Sequence, residues 1–153
     1  MRIRGVALVV FVVLGVLFGS VGSVSARDDK LTFSIHGALD RAEFKQKLDP
    51  GVQLFFGAKW HAAPTEDKGI FKTNKKTRAF GRSDQDACDW AFLSALLQLQ
   101  ERARQMGANA VVEIESVYKN TPLVSEKEYL CGAGGMMSGV ALNGRIVKLA
   151  AKK

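Results

Sequence analysis

The stretch Ser83–Gly107, SDQDACDWAFLSALLQLQERARQMG, decides the fold. Apolar residues recur at Cys88, Ala91, Phe92, Ala95, Leu96, Leu99, Ala103 and Met106, the spacing of one buried helical face. Trp90, Leu93 and Leu97 widen that face. Ser83 is a natural N-cap, and Asp86 three residues later makes a capping box with Asp in place of Glu. Asp84, Asp86 and Asp89 favour the positive end of the helix dipole, and Arg102 and Arg104 its negative end. Gly107 supplies the left-handed residue that ends such a helix. The pattern predicts one long helix over about 84–106.

Beyond Gly107 the period changes. Asn109–Tyr118, NAVVEIESVY, alternates, with Val112, Ile114 and Tyr118 on one face and Glu113 and Glu115 on the other. That predicts a half-buried strand ended by Asn120-Thr121-Pro122. Lys127–Cys131 and Val140–Leu149 read as further strands around the glycine-rich Gly132–Gly139, with a bulge or turn expected at Asn143-Gly144. Upstream, residues 27–37 look extended or loose. Ala38–Leu48 reads as a short helix closed by Asp49-Pro50-Gly51, and Val52–Phe56 as a strand. Gly57–Gly69 reads as a loop, and Ile70–Phe80 as one or two edge strands. A long amphipathic helix must bury its face, and consecutive strands with short links favour antiparallel pairing. The expected fold is therefore α+β. An antiparallel sheet of about four to five strands packs on the long helix, with a short N-terminal helix and one disulfide.

The first residues bear on compartment. Arg2 and Arg4 precede the apolar run Val6–Phe18, and Val24-Ser25-Ala26 fits the small-residue rule for signal peptidase. A signal peptide over 1–26 and a single domain over 27–153 are expected, with a periplasmic destination and no stable membrane anchor after cleavage. The alternative, a retained anchor, meets a run short of the ~20 residues a spanning helix needs. Losing Arg2 and Arg4 leaves twenty basic against fifteen acidic residues, a mature charge of +5. Such a balance favours anionic surfaces without naming a partner. Cys88 and Cys131 are the only cysteines, and an even count in an exported chain argues for one bridge. Two free thiols or a metal pair are the competing readings.

No catalytic set emerges. Gly132–Gly139 is followed by Val140 and Ala141, where a phosphate-binding loop requires Gly-Lys and then Ser or Thr before a helix. A serine triad lacks its nucleophile motif, and the only histidines are His36 and His61. Glu113 and Glu115 could offer two carboxylates to a metal, but nothing else converges on them. Trp60-His61 could form a recognition patch in its loop. Lys72, Lys75, Lys76, Arg78 and Arg82 form the candidate anion-binding set. The alternative for these lysines is a solvated sheet edge that discourages pairing with other chains. A basic face would suit lipopolysaccharide, anionic lipid or another polyanion. No cofactor and no nucleic-acid partner are expected.

Several runs carry a resemblance: Lys72-Thr73-Asn74, Gly81–Ala91 (GRSDQDACDWA), Ala108–Ile114 (ANAVVEI), Glu128–Gly134 (EYLCGAG) and Gly139–Gly144 (GVALNG). They resemble a set of small exported proteins of Gram-negative bacteria labelled "excinuclease ATPase subunit", after the ATPase of the excinuclease ABC complex. The likeness spans roughly 52–147. The activity in that label requires a Walker motif and zinc cysteines, which this chain lacks. A more distant similarity is to the YbjQ-like fold and to the stress-sensing lipoprotein of the Rcs phosphorelay. There too a helix precedes an Ala-Asn-Ala-Val strand. The resemblance implies a disulfide-braced fold in which Cys88 and Cys131 are similar to two of the sensor's bridged cysteines. The sensor's other two cysteines and its lipid-modified cysteine have no counterpart here. YbjQ-like proteins are described as heavy-metal binding, with no matching ligand set in this chain. The resulting expectation is a non-enzymatic periplasmic binding or envelope-associated module, its partner an envelope protein or an anionic envelope component. The alternative is a periplasmic metal-binding protein using His61, the cysteines or acidic residues.

Overall fold

The computed structural model describes residues 26–150; most of the expected signal peptide lies outside them. In chain order the elements are β1 (Asp29–Ser34), α1 (Ile35–Leu39), α2 (Ala42–Lys47), β2 (Gln53–Phe56) and β3 (Pro64–Arg78). Then follow α3 (Asp84–Gln105), β4 (Ala110–Tyr118), β5 (Thr121–Leu123), β6 (Glu128–Ala133) and β7 (Met137–Leu149). Among the described residues no helix is long and apolar enough to cross a membrane.

The chain is mixed α and β, but its sheet is larger than expected and is not all antiparallel. Seven strands form one sheet, ordered β1-β6-β7-β4-β2, with β3 on β7 and β5 on β4. β3 runs antiparallel along β7 from Pro64↔Leu149 to Arg78↔Met137. β6 and β4 are both antiparallel to β7, at Gly132↔Gly139 and from Ala110↔Val147 to Val117↔Ala141. β2 lies parallel to β4, in register at Gln53↔Ala110. The crossover through β3 and α3 brings the chain back to the same end of the sheet, so β4 starts beside β2 and runs with it. The expected loop 57–69 is half strand, because β3 begins at Pro64 and is a single strand of 15 residues.

Helix α3 matches its expected span within one residue at the C-terminus. Ser83 Oγ accepts from the Asp86 backbone N–H at 3.1 Å. The apolar face lies across the sheet, with Phe92, Leu96 and Leu99 fully buried against Val111, Ile114, Val140, Leu142 and Ile146. The expected helix over 38–48 is instead two short helices. The break falls between Ala38 and Phe44. Arg41, extended at φ −59°, ψ 126°, breaks the helix, and both residues are fully buried.

β4 also departs from simple alternation. A register shift falls between Val112 and Glu115, and Glu113 sits at φ +52°. One extra residue in a strand reverses the faces beyond it. Val111 and Ile114 thus face the helix, while Val112 joins Ala110, Val147 and Leu149 in a small second cluster on the other side.

No turn occurs at Asn143-Gly144; β7 pairs with β3 through both residues. Gly144 is there for close packing. A Cβ at this position would lie 2.6 Å from Val111 Cγ1 and 3.3 Å from Leu99 Cδ1. Gly144→Ala is expected to cost about 2 kcal/mol, the scale of overpacking a closed core. Chemical denaturation should show a lower midpoint with unchanged slope.

Candidate functional site: a basic outer face over a braced helix

Strand alternation divides the candidate anion-binding set. Thr73, Lys75 and Thr77 turn toward α3 and are buried or half-buried, whereas Lys72, Asn74, Lys76 and Arg78 are exposed on the opposite face. The cross-strand partners of Lys76 and Arg78 on β7 are Gly139 and Met137. Lys75 lines a cleft beside α3 with Leu97 and Gln98, and Lys76, on the same edge strand, borders both this cleft and the outer face. Arg82 lies in the turn before α3, 3.5 Å from Asp86. Three of the five sequence-selected cations therefore share the outer face. Lys72, Lys76 and Arg78 make no ion pair among the described residues.

Among the described residues no helix packs on that face. Between β3 and the end of β4 it holds a shallow trough of about 420 Å³. Small residues, Gly132, Gly139 and Ala141, floor it, and Lys76 and Lys119 stand at its sides. Lys119 Nζ is 2.8 Å from Asp28, and the Tyr118 hydroxyl donates to Asp28 Oδ1 at 2.9 Å. Lys119 and then Tyr118 hold the Asp28 carboxyl below its ordinary range. Toward the other end of β7 the face turns acidic. Arg145 donates to Glu113 (2.9 Å) and Asp67 (3.0 Å), and Asn143 donates to Glu115 (2.9 Å). Glu113 and Glu115 are thus engaged by separate partners. Along the outer face Lys76 and Arg78 lie toward one end, while Lys72, cross-strand from Asn143, lies with Glu113, Glu115 and Arg145 toward the other.

Sequence reasoning missed the buried polar network under the start of α3. Asp89 is 3% exposed. The Tyr129 hydroxyl donates to Asp89 Oδ1 at 2.5 Å, and Arg41 reaches Asp89 Oδ2 at 3.4 Å. Arg41 also donates to Asp86 at 3.0 Å, and its guanidinium lies 4.5 Å from the Phe44 ring centroid. Tyr129 stacks on Phe92 with centroids 4.1 Å apart. Burial, and then the bond to Asp89, push the Tyr129 phenol far up. The signal available was the aspartate run at the helix start, read there only as dipole complement. Nothing in the sequence announces that Arg41 and Tyr129 converge on Asp89.

Cys88 and Cys131 form the expected disulfide, with Cα atoms 5.9 Å apart and both residues 0% exposed. It joins the first turn of α3 to β6 beside the Asp89 network. A thiolate must reach a disulfide sulfur for exchange, so this bridge is a brace shielded from redox partners. Among the described residues no three His, Cys, Asp or Glu side chains gather as metal ligands. His36 pairs with Asp40 at 2.7 Å, and the His61 ring packs edge-on to Phe55. Trp60, beside His61, is 83% exposed.

Neither a protein-family model, nor a curated protein, nor a solved structure matches the chain.

Proposed function

We propose that the chain is an exported, disulfide-braced, non-enzymatic binding domain of the cell envelope, and that its outer sheet face engages an anionic envelope component. The observation that carries this reading is the trio Lys72, Lys76 and Arg78. They project from one strand onto a face that, among the described residues, carries no helix and offers none of them an ion-pair partner. Fixed cations that are not neutralised within the protein raise the local concentration of polyanions. Edge protection alone would account for lysines on β3 but not for Lys76 and Arg78 standing clear of the carboxylates that gather around Arg145 and Lys72 on the same face. The buried disulfide suits an oxidising compartment. The same features support kinship with the small exported proteins and the YbjQ-like fold described above, with bracing as the shared role of the bridge.

The test uses long-chain inorganic polyphosphate as a soluble probe. The expected result is binding that weakens steeply as salt rises, because surface charge is screened within ~8 Å at physiological ionic strength. K72E/K76E/R78E should lower the affinity at least tenfold while the thermal midpoint stays near that of the parent chain. Equal binding by parent and triple variant would remove the outer face as the site. A stoichiometric metal ion on protein purified from the periplasm would favour the metal-binding alternative instead.

A further inference from the structure

Three of the large apolar side chains that are exposed among the described residues gather at one end of the sheet. Phe80 is 65% exposed, Met136 70% and Met137 47%. They lie together, since the Ala79 backbone N–H donates to the Met136 carbonyl at 2.8 Å and Met137 faces Arg78 across β3 and β7. Arg78 stands among them, its guanidinium 5.9 Å from the Phe80 ring centroid. Large apolar side chains clustered in the open mark an interaction surface. The charges around them are positive in effect. Asp29 and Asp84 are held by Arg27, and Asp86 by Arg41 and Arg82. Among the described residues Lys76 and Arg78 make no ion pair. An apolar tip ringed by free cations complements a surface that is anionic outside and hydrocarbon within.

The path of the chain points the same way. Gly134 packs against the Arg27 carbonyl, 3.1 Å from where its Cβ would be, so the chain enters the domain at this end. In the sequence only Gly19–Ser25 separate the apolar run Val6–Phe18 from Ala26. Even fully extended, that link reaches roughly 25 Å. While the apolar run is attached and in a bilayer, this end of the domain is held at the bilayer surface.

We infer that the Phe80–Met136–Met137 tip, with Lys76 and Arg78, docks the domain on an anionic phospholipid bilayer, the aromatic and thioether groups entering the interface. This rests on the anion-binding reading above and names its partner as a lipid surface. The experiment compares co-sedimentation of the exported chain, without its leader, with vesicles of phosphatidylglycerol mixed with phosphatidylcholine and of phosphatidylcholine alone. The parent chain should bind the anionic vesicles at least tenfold more tightly. F80S/M136S should lose at least tenfold on those vesicles yet bind polyphosphate within twofold of the parent. A Met136→Trp reporter in a Trp60→Phe/Trp90→Phe background should be quenched by brominated lipid. Vesicle binding unchanged in F80S/M136S, or a reporter left unquenched, would overturn the inference while leaving polyphosphate binding standing. A concentration-dependent dimer that F80S/M136S abolishes would also overturn it, by assigning the tip to a second copy of the chain.

Discussion

Replacing Cys88 and Cys131 together by alanine is expected to destabilise the domain by about 4 kcal/mol. The bridge closes a loop of sequence separation 43, and removing it returns that loop-closure entropy to the unfolded chain. At the sensitivity of domains this size, the thermal midpoint should fall by roughly 10–20 °C. The bridge also ties α3 to β6, so the loss should be greatest at the start of the helix. Amide exchange at Ala87–Ala91 should accelerate more than at Leu99–Ala103. Because both cysteines are fully buried, glutathione at physiological concentration should leave the folded bridge intact and reduce it only after denaturant is added. A midpoint unchanged in the double variant would show that the brace is redundant with the Asp89 network.

The second large effect belongs to that network. Asp89→Ala is expected to cost about 3 kcal/mol, because it removes a charge-assisted bond and leaves the buried Tyr129 hydroxyl without its acceptor. Tyr129→Phe should cost a comparable amount, for it leaves a carboxylate at 3% exposure with only Arg41, at 3.4 Å, as partner. The double variant should be less destabilised than the sum of the two, since removing both partners leaves nothing unsatisfied. Alkaline pH offers an independent readout. The Tyr129 phenol is raised above its ordinary value of 10.0 by burial and by Asp89. Below that pH both folded and unfolded chains hold the proton. Above it the unfolded chain releases the proton and the folded chain does not, so stability falls as pH rises. In a Tyr118→Phe background, phenolate absorbance should appear only together with unfolding.

Much of this architecture was legible because it is local. Helix α3 is specified by its own period, cap and charge order, and these agree with one another. The strands after Gly107 follow from a change of period. The cysteine pairing followed from their number and the expected compartment. The features that escaped are those one segment cannot hold alone. β5 is three residues long, too short for any period to show. The parallel pairing of β2 depends on where α3 delivers the chain. The split of α1 from α2 falls at Arg41, whose extended backbone no periodicity in the segment announces.

The candidate site shows the same division. The alternation of Lys72, Asn74, Lys76 and Arg78 along β3 could have been counted in the sequence. That their face would carry no helix while Lys75 turned toward one could not, because a strand's two faces are equivalent until something packs on one of them. Phe80 and Met136 lie more than fifty residues apart in the chain, and only the pairing of β3 with β7 makes them one tip.

What the sequence by itself determined is a helix that must be buried, strands to bury it against, and two sulfurs to hold them, since periodicity and capping act over a few residues. Tertiary structure alone decided which face of the sheet stayed open, that Asp89 would be buried with Tyr129 and Arg41, and that Lys76 and Arg78 would stand apart from the acids around Arg145. Those outcomes depend on strand order and on the bulge at Glu113, where one residue of register exchanges inside for outside.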